Sequence, residues 1–131
     1  MILDSLSRLE AALAPAFKED FLESLYRLLG ALTGAGVTIL LTLEVTEPYN
    51  DMRFTPHPIS FLTHDIVLQR YYELEGELHT FLTVIKTRAR GHSRDMRKYA
   101  VTGNGIVVGD RLSDLSGLIT AVPTVRNRLE Q

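Results

Sequence analysis

The residues of this 131-residue chain that could do chemistry gather at a few places. Lys86-Thr87-Arg88 opens a basic run that passes through Gly91-His92-Ser93 and reaches Arg97-Lys98. Side chains alternate along a strand, so Leu82 and Val84 are expected to share a face with Lys86 and Arg88. A face buried at Leu82 and Val84 would then become doubly cationic where the strand leaves its sheet. Like charges side by side repel and lose hydration unless an anion or water is near. Lys86 and Arg88, beside a Gly91-His92-Ser93 turn, therefore form a candidate phosphate site, with a solvated hairpin tip as the plainer reading.

The second place is Met1-Ile2-Leu3-Asp4, an apolar strand ending in a carboxylate. This is the form of a Walker B element: the strand enters a sheet and presents Asp4 at its carboxyl edge, where ligands sit in open α/β sheets. A carboxylate there can hold Mg²⁺, usually through water, against phosphates. Asp4, Ser5 or Ser7 could equally cap a helix. Glu44, at the end of another apolar run, could orient a water near a terminal phosphate, or be a strand-end carboxylate in water or paired with a base. The histidines are His57, His64, His79 and His92; no pair has the i, i+4 spacing of a helical zinc site, and no cysteine is present. Tyr71 and Tyr72 read as core material before base-stacking platforms.

The elements that must position these residues follow from periodicity. From Phe17 to Leu32 apolar residues recur at helical spacing, with Lys18, Glu19, Glu23 and Arg27 on the other side. Gly34 and Gly36 are expected to end this helix. Val37 to Val45 is nearly continuously apolar and β-branched, the pattern of a strand covered on both faces. Thr46 to Pro58 is predicted to be a surface loop. Asp65 to Leu74 and Glu77 to Thr87 flank Glu75-Gly76 as a hairpin. Arg97 to Thr102 and Ile106-Val107-Val108 flank Gly103-Asn104-Gly105 as another, and the tail from Gly109 reads as loop with an apolar patch at Leu118-Ile119. A helix feeding a buried strand, followed by antiparallel hairpins, predicts an α/β sheet with an antiparallel extension.

One domain's length, 45% hydrophobic and 23% charged residues describe an ordinary globular chain. A net charge of -2 disfavours a nucleic-acid or membrane binder, so any basic site must be local. The absence of cysteine fits a cytoplasmic protein, and no apolar stretch reaches the ~20 residues a membrane span needs.

In this order the pieces resemble the KaiC family of RecA-type ATPases. The matching stretches are Ile2-Leu3-Asp4-Ser5-Leu6, Gly36 to Thr42, His64 to Tyr71, Gly76-Glu77-Leu78, Lys86-Thr87-Arg88, His92, Arg97-Lys98-Tyr99 and Thr102 to Ile106. The resemblance implies that residues 1–131 are the C-terminal part of a RecA-like P-loop ATPase domain, from the Walker B strand to the tail. It implies Asp4 as the Mg²⁺ carboxylate. It also implies that Lys86 and Arg88, with His92 close by, reach ATP held mainly by a neighbouring subunit of a hexamer-like ring. A signalling partner would also fit the family.

The chain departs from the family pattern at several points. No G-x-x-x-x-G-K-[ST] occurs, so nothing here cradles the β- and γ-phosphates, and the chain alone is expected to be inactive. An upstream half carrying that loop is expected in the parent protein. The family's phosphorylated Ser-Thr pair would fall at Ser60-Phe61, which argues against autophosphorylation there, and Ala89 replaces a customary glycine. Two other readings remain: a non-catalytic oligomerisation or partner-binding module, and a single-stranded nucleic-acid binder using Lys86 to Lys98.

Overall fold

The computed structural model describes residues 1–12, 18–44, 62–88, 91–118 and 124–125. The predicted Thr46–Pro58 loop, Phe17, Ser60-Phe61 and Ile119 lie outside these. The described residues form two compact units, one holding those up to Glu44 together with Leu62, the other those from Thr63 onward.

In the first unit, strand β1 (Ile2–Leu3) leads into helix α1 (Leu6–Ala12), and helix α2 (Lys18–Gly34) leads into strand β2 (Leu40–Leu41). The strands pair in parallel, Ile2 with Leu40 and Leu3 with Leu41. The ladder continues past them: Leu40 N donates to Met1 O at 2.9 Å, Thr42 N to Leu3 O at 3.0 Å and Leu6 N to Thr42 O at 2.9 Å. Phe21, Leu25 and Leu29 recur on one face of α2 and bury with Leu6, while Leu3, Ile39, Leu41, Leu43 and Leu62 pack around them. Leu28, on the shoulder of that face, stays half exposed.

Helix α2 ends in a Schellman motif. Val37 N donates to Leu32 O and Gly36 N to Thr33 O, with Gly36 at φ 81°. Only glycine takes that conformation without a Cβ penalty, so Gly36 is the terminator and Gly34 is the last helical residue.

The expectation for Val37 to Val45 needs correction. Among the described residues of this run only Leu40–Leu41 is paired as strand, and the run alternates: Ile39, Leu41 and Leu43 pack against the helical core, whereas Leu40 is 58% exposed and its partner Ile2 73%. The helices of this unit cover one face of the pair, and the strand is not buried on both.

The second unit is a four-stranded antiparallel meander, β3 (Ile66–Leu74), β4 (Glu77–Lys86), β5 (Arg97–Thr102) and β6 (Gly105–Arg111), in that spatial order. Both predicted hairpins are present. Glu75 (φ 53°) and Gly76 (φ 79°) are both left-handed, the requirement of a two-residue hairpin turn. On one face Tyr72 and Phe81 bury with Leu118, supported by Leu74, Met96, Leu112 and Leu115. Tyr72 is thus core, and burial raises its phenol pKa above the usual 10.0. Its sequence neighbour Tyr71 points the other way and is exposed, so only one of the two tyrosines is core material.

Part of the described tail, expected as loop, is strand. Strand β6 continues to Arg111, and β7 (Leu115–Ser116) pairs antiparallel with β8 (Thr124–Val125).

Candidate functional site

The carboxyl end of the parallel pair gathers polar groups. Asp4 follows β1 directly, is exposed, and its Oδ1 accepts a hydrogen bond from the Thr42 hydroxyl on the neighbouring strand. Ser5, buried at 6% exposure, caps α1: its Oγ accepts from Arg8 N at 3.3 Å and its carbonyl from Leu9 N at 3.2 Å. The capping role thus falls to Ser5 and leaves the Asp4 carboxylate facing outward. Glu44 is exposed just beyond β2, with its N–H donating to Ser7 Oγ at 3.3 Å. Thr42 is the site neighbour that motif reading did not single out, and Ser7, read only as a possible cap, also meets this end; polar residues at alternate positions, Thr38, Thr42 and Glu44, are the signal that could have found Thr42.

The basic run lies in the second unit, and its geometry differs from the alternation argument. The buried residues of β4 are Phe81 and Thr83, whereas Leu82 and Val84 are only half-buried on the opposite face. Pairing then slips: Val67 faces Val84, but Ile66 faces Lys86, so Ile85 is an extra residue in β4. The bulge breaks the parity that was to carry Leu82 and Val84 on to Lys86, and Lys86 comes to stand opposite Ile66. Its Nζ donates to Thr63 O at 3.0 Å, and the residue is half-buried. Arg88 lies past the end of the strand, exposed, and makes no ion pair among the described residues. His92 is half-buried with its Nε2 enclosed and lacking any hydrogen-bond partner.

Part of the basic run is neutralised internally. Asp95 Oδ2 lies 3.5 Å from Arg97 Nη2, and its Oδ1 lies 3.3 Å from Arg111 Nε. One carboxylate thus serves two guanidiniums across β5 and β6, which takes Arg97 out of any continuous positive track and weakens the nucleic-acid reading. Asp4 and Glu44 belong to the first unit, and Lys86, Arg88 and His92 to the second.

The oxygen donors at Asp4 and Thr42 suit a hard cation such as Mg²⁺. No cluster of three or more acidic or imidazole groups exists among the described residues, so an ion here would keep waters or ligand oxygens in its shell. The enclosed His92 Nε2, with no hydrogen-bond partner among the described residues, has one hydrogen bond to offer a polar ligand. Among the described residues no helix is long and apolar enough to cross a membrane.

In chain order a parallel strand pair with its two helices is followed by an antiparallel meander, an α/β composition. The fold matches that of a KaiC-like protein from the hyperthermophilic archaeon Pyrococcus horikoshii, with a TM-score of 0.71 at 24% identity over 83% of this chain and 48% of that one. A family profile described as "ATPase: KaiC" matches residues 1–113, and the chain belongs to that family. It is 27% identical to the circadian clock protein KaiC3 of Synechocystis sp. over 98% of its own length and 25% of that protein's. It is 35% identical over 69 residues to the circadian clock oscillator protein KaiC of Parasynechococcus marenigrum, covering 53% of this chain and 14% of that protein. The chain thus spans a quarter or less of these curated relatives.

Proposed function

We propose that this chain is the C-terminal part of a KaiC-type ATPase domain that completes a nucleotide site whose phosphate-binding loop lies elsewhere. The carrying observation is Asp4, held by Thr42 at the carboxyl end of a strand paired in parallel with β2. Asp4 would hold Mg²⁺ through water, and that ion would neutralise charge on the phosphates. Arg88, exposed and without an ion pair among the described residues, and Lys86 are trans-acting cations for ATP bound by a neighbouring subunit of a ring. His92 joins them on the family resemblance, and its enclosed Nε2 has a hydrogen bond to offer a ligand. Glu44, exposed at the strand end, is retained as a water-orienting candidate on position alone. A cytoplasmic ring ATPase acting in signalling, with a signalling partner, is the setting the family suggests.

The proposal predicts no ATP turnover by this chain alone, since it contains no G-x-x-x-x-G-K-[ST]. Turnover by the purified chain at ~1 s⁻¹, within the ordinary enzymatic range, would overturn it. The trans role is tested in a loop-bearing KaiC-type ATPase that carries residues 1–113 of this chain in place of its matching segment. There Arg88→Ala should lower kcat at least ~10-fold, the low end of finger effects, while ATP binding stays intact. An unchanged kcat with assembled rings removes the finger assignment.

The reading as a non-catalytic oligomerisation module keeps one specific support, the exposure of Val101, Ile106 and Val108 on the meander. It predicts assembly that ignores ATP and a chain indifferent to Asp4→Asn in every nucleotide assay.

A further inference from the structure

Arg97 at the start of β5 pairs in register with Arg111 at the end of β6. Like charges directly opposite one another on antiparallel strands repel, so this register carries a built-in conflict. Asp95 answers it. Its carboxylate, 28% exposed, lies 3.5 Å from Arg97 Nη2 and 3.3 Å from Arg111 Nε, one oxygen to each. Arg97 Nη1 also donates to Gly109 O at 3.4 Å. Beside the two guanidiniums the backbone closes as well, with Leu112 N donating to Met96 O at 2.8 Å.

That closure is the far end of the connection that leaves β4 at Lys86 and enters β5 at Arg97. Arg88 and His92 are among its described residues. Among the described residues β4 pairs with β5 only at Phe81 with Lys98 and Leu82 with Arg97, and β4 runs on to Lys86 beyond that ladder. The path of the connection therefore depends on how its two ends are held. Lys86, at the near end, is tied to Thr63 O at 3.0 Å. At the far end the tie is Asp95, whose own N–H donates to Ser93 Oγ at 3.1 Å.

Resting on the reading of Arg88 as a cation supplied to bound ATP, we propose that Asp95 is a positioning residue for it. By bridging Arg97 and Arg111, Asp95 fixes the point where β5 begins, and with it the far anchor of the segment bearing Arg88. A lone, partly exposed ion pair would stabilise little. Here one carboxylate makes two pairs, and its removal leaves guanidinium facing guanidinium across the strands. A small displacement of a charged group costs a large part of its effect on a transition state.

Amide exchange of the purified chain tests the anchor without nucleotide. Asp95→Asn should speed exchange of the Leu112 N–H at least ~10-fold through local opening, and adding Arg111→Ala should slow it again, because a single guanidinium has nothing to repel. The catalytic consequence is read in the loop-bearing KaiC-type ATPase carrying residues 1–113 of this chain. There Asp95→Asn should lower kcat at least ~5-fold with the KM for ATP unchanged. Asp95→Glu, and Asp95→Asn combined with Arg111→Ala, should each recover most of that loss. In an Arg88→Ala background Asp95→Asn should change nothing further. A merely structural carboxylate would lose activity with or without Arg88 and would not be rescued by removing Arg111. Either of those results overturns the proposal, as does Leu112 exchange unmoved by Asp95→Asn. An unchanged kcat in Asp95→Asn beside a lowered one in Arg88→Ala also overturns it, and leaves the nucleotide-site reading standing. A silent Arg88→Ala removes that reading and this role for Asp95 together. Should Asp95→Asn fail to fold, the combined variant decides: a kcat near that of the parent supports the proposal, and a loss as large as that from Arg88→Ala overturns it.

Discussion

The β3–β4 and β5–β6 hairpins share one sheet and differ in what covers them. Both are antiparallel, each has a glycine at positive φ in its turn (Gly76) or directly after it (Gly105), and both are rich in β-branched and aromatic residues. Yet Phe81 in the first is wholly buried, and every residue of β6 in the second is exposed. Strand propensity and turn chemistry therefore explain why each hairpin forms, whereas burial depends on Leu118 and Leu112 returning from the tail to one hairpin's face.

Mutations can break that comparison, beginning with the largest effect. Phe81→Ala should cost about 3–5 kcal/mol in chemical denaturation, because it empties the centre of the covered face. Gly76→Ala and Gly105→Ala should each cost roughly 1 kcal/mol or more, since both positions hold positive φ with open space around them. Equal penalties at the two turns would show that the hairpins differ in cover and not in closure. Val101→Thr, assayed at concentrations where the chain is monomeric, should change stability by less than about 0.5 kcal/mol. A penalty there comparable to that of Phe81→Ala would mean that the second hairpin is buried in the monomer.

A smaller effect separates the two tyrosines of β3. Burial raises the Tyr72 phenol above its unfolded value, so its contribution is fully present below pH 10.0 and is lost as pH rises above it. Tyr72→Phe should flatten that alkaline decline in an unfolding-versus-pH series, and Tyr71→Phe, at an exposed position, should leave it unchanged.

Local pattern was enough to read the meander, the α2 terminator at Gly36 and the α/β order, because alternation and turn residues are written over a few positions. The Ile2-Leu3-Asp4 strand was legible from the form of a Walker B element, against a helix cap as the plainer reading; the strand is present and the cap is Ser5. Non-local facts were not legible. The extra residue at Ile85, which moved Lys86 opposite Ile66, leaves no mark in composition. Asp95 reaches Arg111 only because β5 and β6 fold back on each other, a pairing invisible to spacing. The exposed side of β2 was misjudged because an apolar run records what a strand can bury, and here one side has no cover within its own unit.

The slip in β6 pairing between Val108 and Arg111 limits how this chain can adhere to itself. It bends the outer strand and confines its regular backbone to Gly105–Val108, short of the roughly six residues that a growing fibril needs as a template. That guard belongs to the β6 edge alone, because β3 at the other edge keeps regular pairing from Val67 to Leu74.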